Sequence, residues 1–77
     1  MPKILLVDTQ CQQIWTGFGM DRLIVKDGNG TRVMSKQESV EMCEKLLELA
    51  NEWDDDNPHE ERTPDHIRRA IVTVMNA

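Results

Sequence analysis

The stretch Arg22-Leu23-Ile24-Val25-Lys26-Asp27-Gly28-Asn29-Gly30-Thr31-Arg32-Val33-Met34-Ser35-Lys36-Gln37-Glu38 decides the fold, because the chain changes period inside it. Its first part holds two short runs rich in Ile, Val and Leu on either side of Asp27-Gly28-Asn29-Gly30. Asp-Gly and Asn-Gly pairs supply the positive φ angles that a tight hairpin needs. The runs therefore read as antiparallel strands, Arg22 to Lys26 and Thr31 to Met34. Ser35-Lys36-Gln37-Glu38 is a capping box: Ser35 accepts from a first-turn amide and Glu38 reaches back. Beyond it Val40, Cys43, Leu46, Leu47 and Ala50 recur at helical spacing, and Met42, Leu49 and Trp53 broaden the stripe. Strands lie before residue 35 and helices after it.

Toward the N-terminus, Lys3-Ile4-Leu5-Leu6-Val7 reads as a strand with both faces apolar, which predicts a central position in the sheet. Gln13-Ile14-Trp15-Thr16-Gly17-Phe18 reads as another, with Ile14, Thr16 and Phe18 on one face. Toward the C-terminus, the first helix is predicted over residues 36–53. It ends in Asp54-Asp55-Asp56-Asn57-Pro58, since Pro58 disfavours helical geometry just before it. A second helix is predicted over 64–75, with Thr63 as N-cap, Pro64 as first helical residue and Asp65 at the positive dipole end. Ile67, Ala70, Ile71, Val74 and Met75 give it a one-sided apolar stripe, from which Arg68 and Arg69 point away. The expected fold is α+β: an antiparallel sheet of three to four strands over residues 3–35, covered on one face by two C-terminal helices, as one domain spanning 1–77. The expected core comprises Ile4, Leu6, Ile14, Leu23, Val25, Val33, Val40, Cys43, Leu47, Ile67, Ile71 and Val74.

The chain has 77 residues, too few for a second core, a dinucleotide-binding fold or a barrel. A domain this small buries only about 60% of its unfolded surface, so oligomerisation or partner binding is expected to support it. Two cysteines, Cys11 and Cys43, are too few for a disulfide scaffold and read as reduced core thiols of a cytoplasmic protein. No stretch approaches the roughly 20 apolar residues of a membrane span, and the run Ile4 to Val7 is too short for a signal peptide.

Several short motifs are weighed and set aside. Ile4-Leu5-Leu6-Val7-Asp8 resembles the first strand of response-regulator receiver domains over five residues. Those domains need a longer doubly wound chain and further acidic ligands, so the run reads as a buried strand ended by a turn Asp. Asp27-Gly28-Asn29-Gly30 is similar to the middle of an EF-hand loop, yet Val25 and Lys36 stand where the first and last ligands belong. Gly17-Phe18-Gly19 is half a phosphate-binding fingerprint and reads as a bulge or tight turn. Asp54, Asp55, Asp56, His59, Glu60, Glu61 and His66 match no zinc spacing and read as a solvated acidic loop. No metal and no cofactor is expected. Cys11 and Cys43 could each be imagined beside His59 or His66. Cys43 falls on an apolar helix face where a thiol is inert, and nothing near Cys11 would activate it, so no catalytic residue is assigned.

Charge is the most informative feature. The formal net charge is −5, and residues 38–61 carry ten acidic groups against Lys45 alone, between mildly basic flanks. Glu41, Glu44, Glu48 and Glu52 recur at i, i+3, i+7 and i+11, forming a stripe that continues into Asp54, Asp55 and Asp56. Such a rail can steer onto a protein partner with a basic surface. Trp15 and Trp53 are candidate interface anchors. The expected function is that of a non-enzymatic binding protein, an inhibitor or regulator of a larger macromolecular machine. Virus-encoded or mobile-element inhibitors of bacterial defence are an analogy of type only. Two alternatives stand beside it. One is an oligomer, with a dimer favoured, that sequesters a small anionic nucleotide through Arg22, Arg68 and Arg69. The other is a nucleic-acid-binding module using the basic strand region, which the overall acidity opposes.

Overall fold

The computed structural model describes residues 3–17, 19–56 and 62–77. Its elements follow in the order β1 (Leu5–Asp8), β2 (Gln12–Thr16), β3 (Leu23–Asp27), β4 (Gly30–Val33), α1 (Lys36–Asp56) and α2 (Asp65–Met75). The strands form an antiparallel meander in the order β1-β2-β3-β4, backed by the two helices. This is the α+β arrangement that the change of period predicts.

The β3–β4 hairpin closes on the pair Asp27 and Gly30. Asp27 Oδ1 accepts the Asn29 N–H at 2.8 Å, an Asx turn that fixes the corner. Within the turn the left-handed residue is Gly30, at φ 114°, so only the second glycine supplies a positive φ. The capping box forms as expected: Ser35 Oγ accepts the Glu38 N–H at 3.1 Å, and Glu38 Oε1 accepts the Ser35 N–H at 3.4 Å.

Strand parity divides the sheet into two faces. Ile14 and Thr16 of β2, with Leu23 and Val25 of β3, turn toward the helices and are buried. They meet Met34, Cys43, Ile71 and Val74 in the core. The alternate residues Gln13, Trp15, Ile24, Lys26, Thr31 and Val33 occupy the face away from the helices. This corrects the expected core at Val33. It pairs with Ile24 and is 62% exposed, while its neighbour Met34 takes the inward position. Ile4, Leu6, Val40, Leu47 and Ile67 are half-buried around the core. Met20, buried at φ 56° in the loop after β2, joins the interior instead. Phe18 lies outside the described residues.

The expectation that the first strand is central is also corrected, because β1 is an edge strand. The register shifts between Leu5 and Val7. The bulge lets Leu6 and Val7 both pack on the core while Leu5 pairs with Trp15. Apolarity on both faces comes from that bulge and from α2, which packs beside β1. Thr16 secures the join: its Oγ1 accepts the Ile4 N–H and its own N–H donates to the Ile4 carbonyl, both at 2.9 Å.

Ser39 performs a similar task between layers. It is fully buried on α1, its Oγ accepts the Leu23 N–H at 2.9 Å, and its hydroxyl donates to the Ser35 carbonyl at 2.8 Å. One serine thereby pins the start of α1 under the start of β3. No helix among the described residues is long and apolar enough to cross a membrane.

Candidate functional site

The acidic stripe lies on α1, and the helix geometry sorts its members. At about 100° per residue, Ser39, Cys43, Ala50 and Asp54 fall on one side, and these four are the buried residues of α1. Glu41, Glu44, Glu48 and Glu52 fall opposite them and are exposed, as are Asp55 and Asp56. Between the two faces runs an apolar flank of Met42, Leu46, Leu49 and Trp53. Met42 and Leu46 pack against the core, whereas Leu49 is 59% and Trp53 50% exposed. Six carboxylates thus border two exposed apolar side chains over about four turns of helix.

Asp54 does not belong to the stripe, which corrects its assignment as a rail residue. Its side chain turns inward and the residue is 6% exposed. Oδ1 accepts the Thr63 N–H at 2.6 Å, and Oδ2 accepts from Arg68 Nε at 3.0 Å and from Arg68 Nη2. Arg68 Nη1 donates to Asn51 Oδ1 at 2.9 Å. Arg62 stands 3.9 Å from Oδ2 at the rim. The Thr63 amide, with Arg68 beside it, holds the Asp54 carboxyl below its ordinary range despite the opposing effect of burial.

Two boundary expectations change with it. α1 continues to Asp56, beyond the predicted end at 53, and so carries Asp54 to α2. The N-cap of α2 is Pro64, at φ −57° and ψ 141°, not Thr63, whose amide is committed to Asp54. The Pro64 carbonyl accepts from Ile67 and Arg68.

Of the three arginines proposed as an anion clamp, one is already engaged. Arg68 is spent on Asp54 and Asn51, which corrects its assignment as a clamp residue. Arg69 lines a separate hollow of about 190 Å³ with Ile4, Met20, His66, Ala70 and Thr73. Arg22 is exposed in the loop before β3. The two tryptophans are apart. Trp15 lies on the open face of the sheet, its Nε1 donating to Gln13 Oε1 at 3.3 Å, while Trp53 lies on the helical layer. Trp15 walls a hollow of about 290 Å³ with Lys3, Gln13, Ile24, Lys26 and Thr31.

Both cysteines are free thiols. Burial pushes the Cys43 thiol up to about 11, so it stays protonated and unreactive at neutral pH. Cys11 is exposed at the β1–β2 turn, which corrects its expected place in the core, and it shares a hollow with Thr9, Gln10, Gln12, Gln13, Lys26, Asp27 and Gly28. Among the described residues no three His, Cys, Asp or Glu are placed to hold a metal ion. His59, Glu60 and Glu61 of the acidic segment lie outside the described residues.

Sequence reasoning missed Ser39 and the inward turn of Asp54. The signal for Ser39 was its place four residues before Cys43, on the apolar stripe. The fold and site define a class, an α+β meander with a two-helix layer and an acidic outer helix face. The chain matches no family model, no curated protein and no solved structure.

Proposed function

We propose that this chain is a non-enzymatic protein-binding module that inhibits or regulates a larger macromolecular machine by laying the outer face of α1 on a basic surface. The observation that carries this reading is the pairing on one helix of exposed Glu41, Glu44, Glu48, Glu52, Asp55 and Asp56 with exposed Leu49 and Trp53. An apolar anchor supplies affinity once desolvated, and a surrounding charged rim supplies orientation and association rate. The free thiols fit a reducing compartment such as the cytoplasm.

Native mass spectrometry of tagged protein drawn gently from a bacterial lysate gives the partner directly. The decisive comparison is with the variant Glu44→Lys/Glu48→Lys/Glu52→Lys, checked by circular dichroism for an unchanged fold. Binding to the captured protein should fall by at least about tenfold, roughly 1.4 kcal/mol. Undiminished binding by the charge-reversed chain would remove the acidic face from the mechanism. A nucleotide-sized adduct in place of a protein would favour the small-ligand reading.

A further inference from the structure

We infer that two copies of this chain pair through the free edge of β4 and the adjoining flank of α1, making a two-fold dimer with one continuous eight-stranded sheet. The inference shares Leu49, Trp53 and Glu41 with the acidic-face reading above but stands or falls separately from it, because its test uses the chain alone with no other partner.

β4 is the outer strand on its side of the sheet. The Met34 N–H donates to the Leu23 carbonyl at 2.9 Å, so 23 and 34 form a hydrogen-bonded pair. Antiparallel pairs alternate, and Ile24 and Val33 are therefore a non-hydrogen-bonded pair. Thr31 and Val33 accordingly turn their backbone N–H and C=O groups out to the edge. β4 carries neither a proline nor a bulge; its guards against unspecific pairing are its four-residue length and the inward-facing charge of Arg32, which a partner must answer with an acid.

Exposed apolar side chains lie on both layers: Val33, 62% exposed, stands at this edge, and Leu49 and Trp53, 59% and 50% exposed, lie on the flank of α1 turned from α2. α2 packs beside β1, while α1 is joined to β4 and pinned to β3 by Ser39. The flank of α1 turned from α2 thus lies toward the β4 edge. Met34 at the end of β4 shares a hollow there with Glu38, Glu41, Met42 and Lys45. On the open face, the pairings align Leu5, Trp15, Ile24 and Val33 in one apolar row across the four strands. That row stops at Val33, at the edge.

Charge selects the register. Centring the two strands on Arg32 would set Arg32 against Arg32 of the partner subunit, and like charges directly opposite are destabilising. Centring them on Val33 sets Val33 against Val33 of the partner subunit and continues the apolar row through the dyad. The same register places Arg32 opposite Met34 of the partner subunit. Arg32 faces the helical side, being paired with Val25. Its guanidinium therefore comes to the hollow where Glu38 and Glu41 of the partner subunit stand beside Lys45. Symmetry repeats this contact twice. A partner of any other kind would have to reproduce both the strand and the cation, which a second copy supplies without adjustment.

Sedimentation equilibrium tests the proposal. At about 100 μM, a dimer with a Kd near 1 μM is nearly complete, so the wild-type chain should sediment at twice its 8.9 kDa mass. Val33→Pro removes an outward-facing N–H and leaves the β3 ladder intact, so it should sediment as a folded monomer with unchanged circular dichroism. Arg32→Glu, a surface change that does not endanger the fold, should weaken the dimer by at least about tenfold. Adding Glu41→Arg to Arg32→Glu should restore much of that loss, and it spares the capping box that Glu38 closes. A wild-type monomer at this concentration overturns the inference. So does a dimer that Arg32→Glu leaves at full strength, or a loss that Glu41→Arg does not repair.

Discussion

Ser39 shows how much of a small fold can depend on one hydroxyl. Its Oγ is the acceptor for the Leu23 N–H, and Leu23 is fully buried. Ser39→Ala leaves that amide without a partner where water does not reach. An orphaned buried donor costs about 1–3 kcal/mol, a large share of the stability of a 77-residue chain. Urea denaturation should show a lower midpoint at an unchanged m-value, and a midpoint equal to wild type would show that the bond carries no net stability. Asp54 is the second residue on which the architecture turns. Its carboxyl is held low in the folded chain by the Thr63 amide and by Arg68, against about 3.9 when unfolded. A depressed folded pKa means that its contribution is complete above that unfolded value and is lost as the pH falls through it toward the folded one. Asp54→Asn should therefore lower the melting temperature at pH 7, and the gap to wild type should shrink as the pH is taken below about 4. A gap that stays constant across that range would assign the effect to shape instead of charge.

At the scale of elements, the legible parts were the local ones. The Ser35–Glu38 box and the Asp27–Gly30 corner involve residues three apart in sequence, and their chemistry is complete within that span. The side-chain parity of β2 and β3 was legible for the same reason, since alternation of Ile14 with Thr16 and Leu23 with Val25 needs no distant partner. β1 was misplaced because its pattern was produced by a bulge. Leu6 and Val7 both face the core only through the register shift at their junction with β2, and nothing in Ile4-Leu5-Leu6-Val7 announces it. Val33 was misassigned by parity at the far end of the same sheet, where a single residue separates the exposed position from buried Met34. Asp54-Asp55-Asp56 reads as three equivalent solvated acids. Their division depends on Arg68, 14 residues further on, returning along α2 to meet the first of them. The acidic stripe itself was legible because helical periodicity alone places Glu41, Glu44, Glu48 and Glu52 together.

For the whole molecule, the separation of charge has a thermodynamic consequence. Glu44 and Glu48, Glu48 and Glu52, and Glu52 and Asp56 stand four residues apart on the outer face of α1, each a repulsive pair, and the single cation Lys45 offsets only part of this. Like-charge pairs at that spacing each cost about 0.2–0.5 kcal/mol, giving a total near 1 kcal/mol at low ionic strength. The inward ion pair of Asp54 with Arg68 is shielded from solvent at the carboxylate, so salt should weaken it less than it relieves the outer face. Raising sodium chloride from about 10 mM to about 300 mM shortens the screening length from about 30 Å to well under 10 Å. The melting temperature should then rise by a few degrees, in contrast to a fold held by surface ion pairs, which salt would destabilise. Glu48→Gln/Glu52→Gln breaks all three repulsive contacts, so that variant should start higher and respond less to salt. A wild-type melting temperature that falls over the same range would mean that attraction, not repulsion, dominates the electrostatics of this molecule. The same titration should weaken any complex formed through the outer face, because screening acts on steering as it acts on repulsion. A surface that costs stability in isolation is one whose repulsion a basic partner would relieve, which is what the proposed binding role requires.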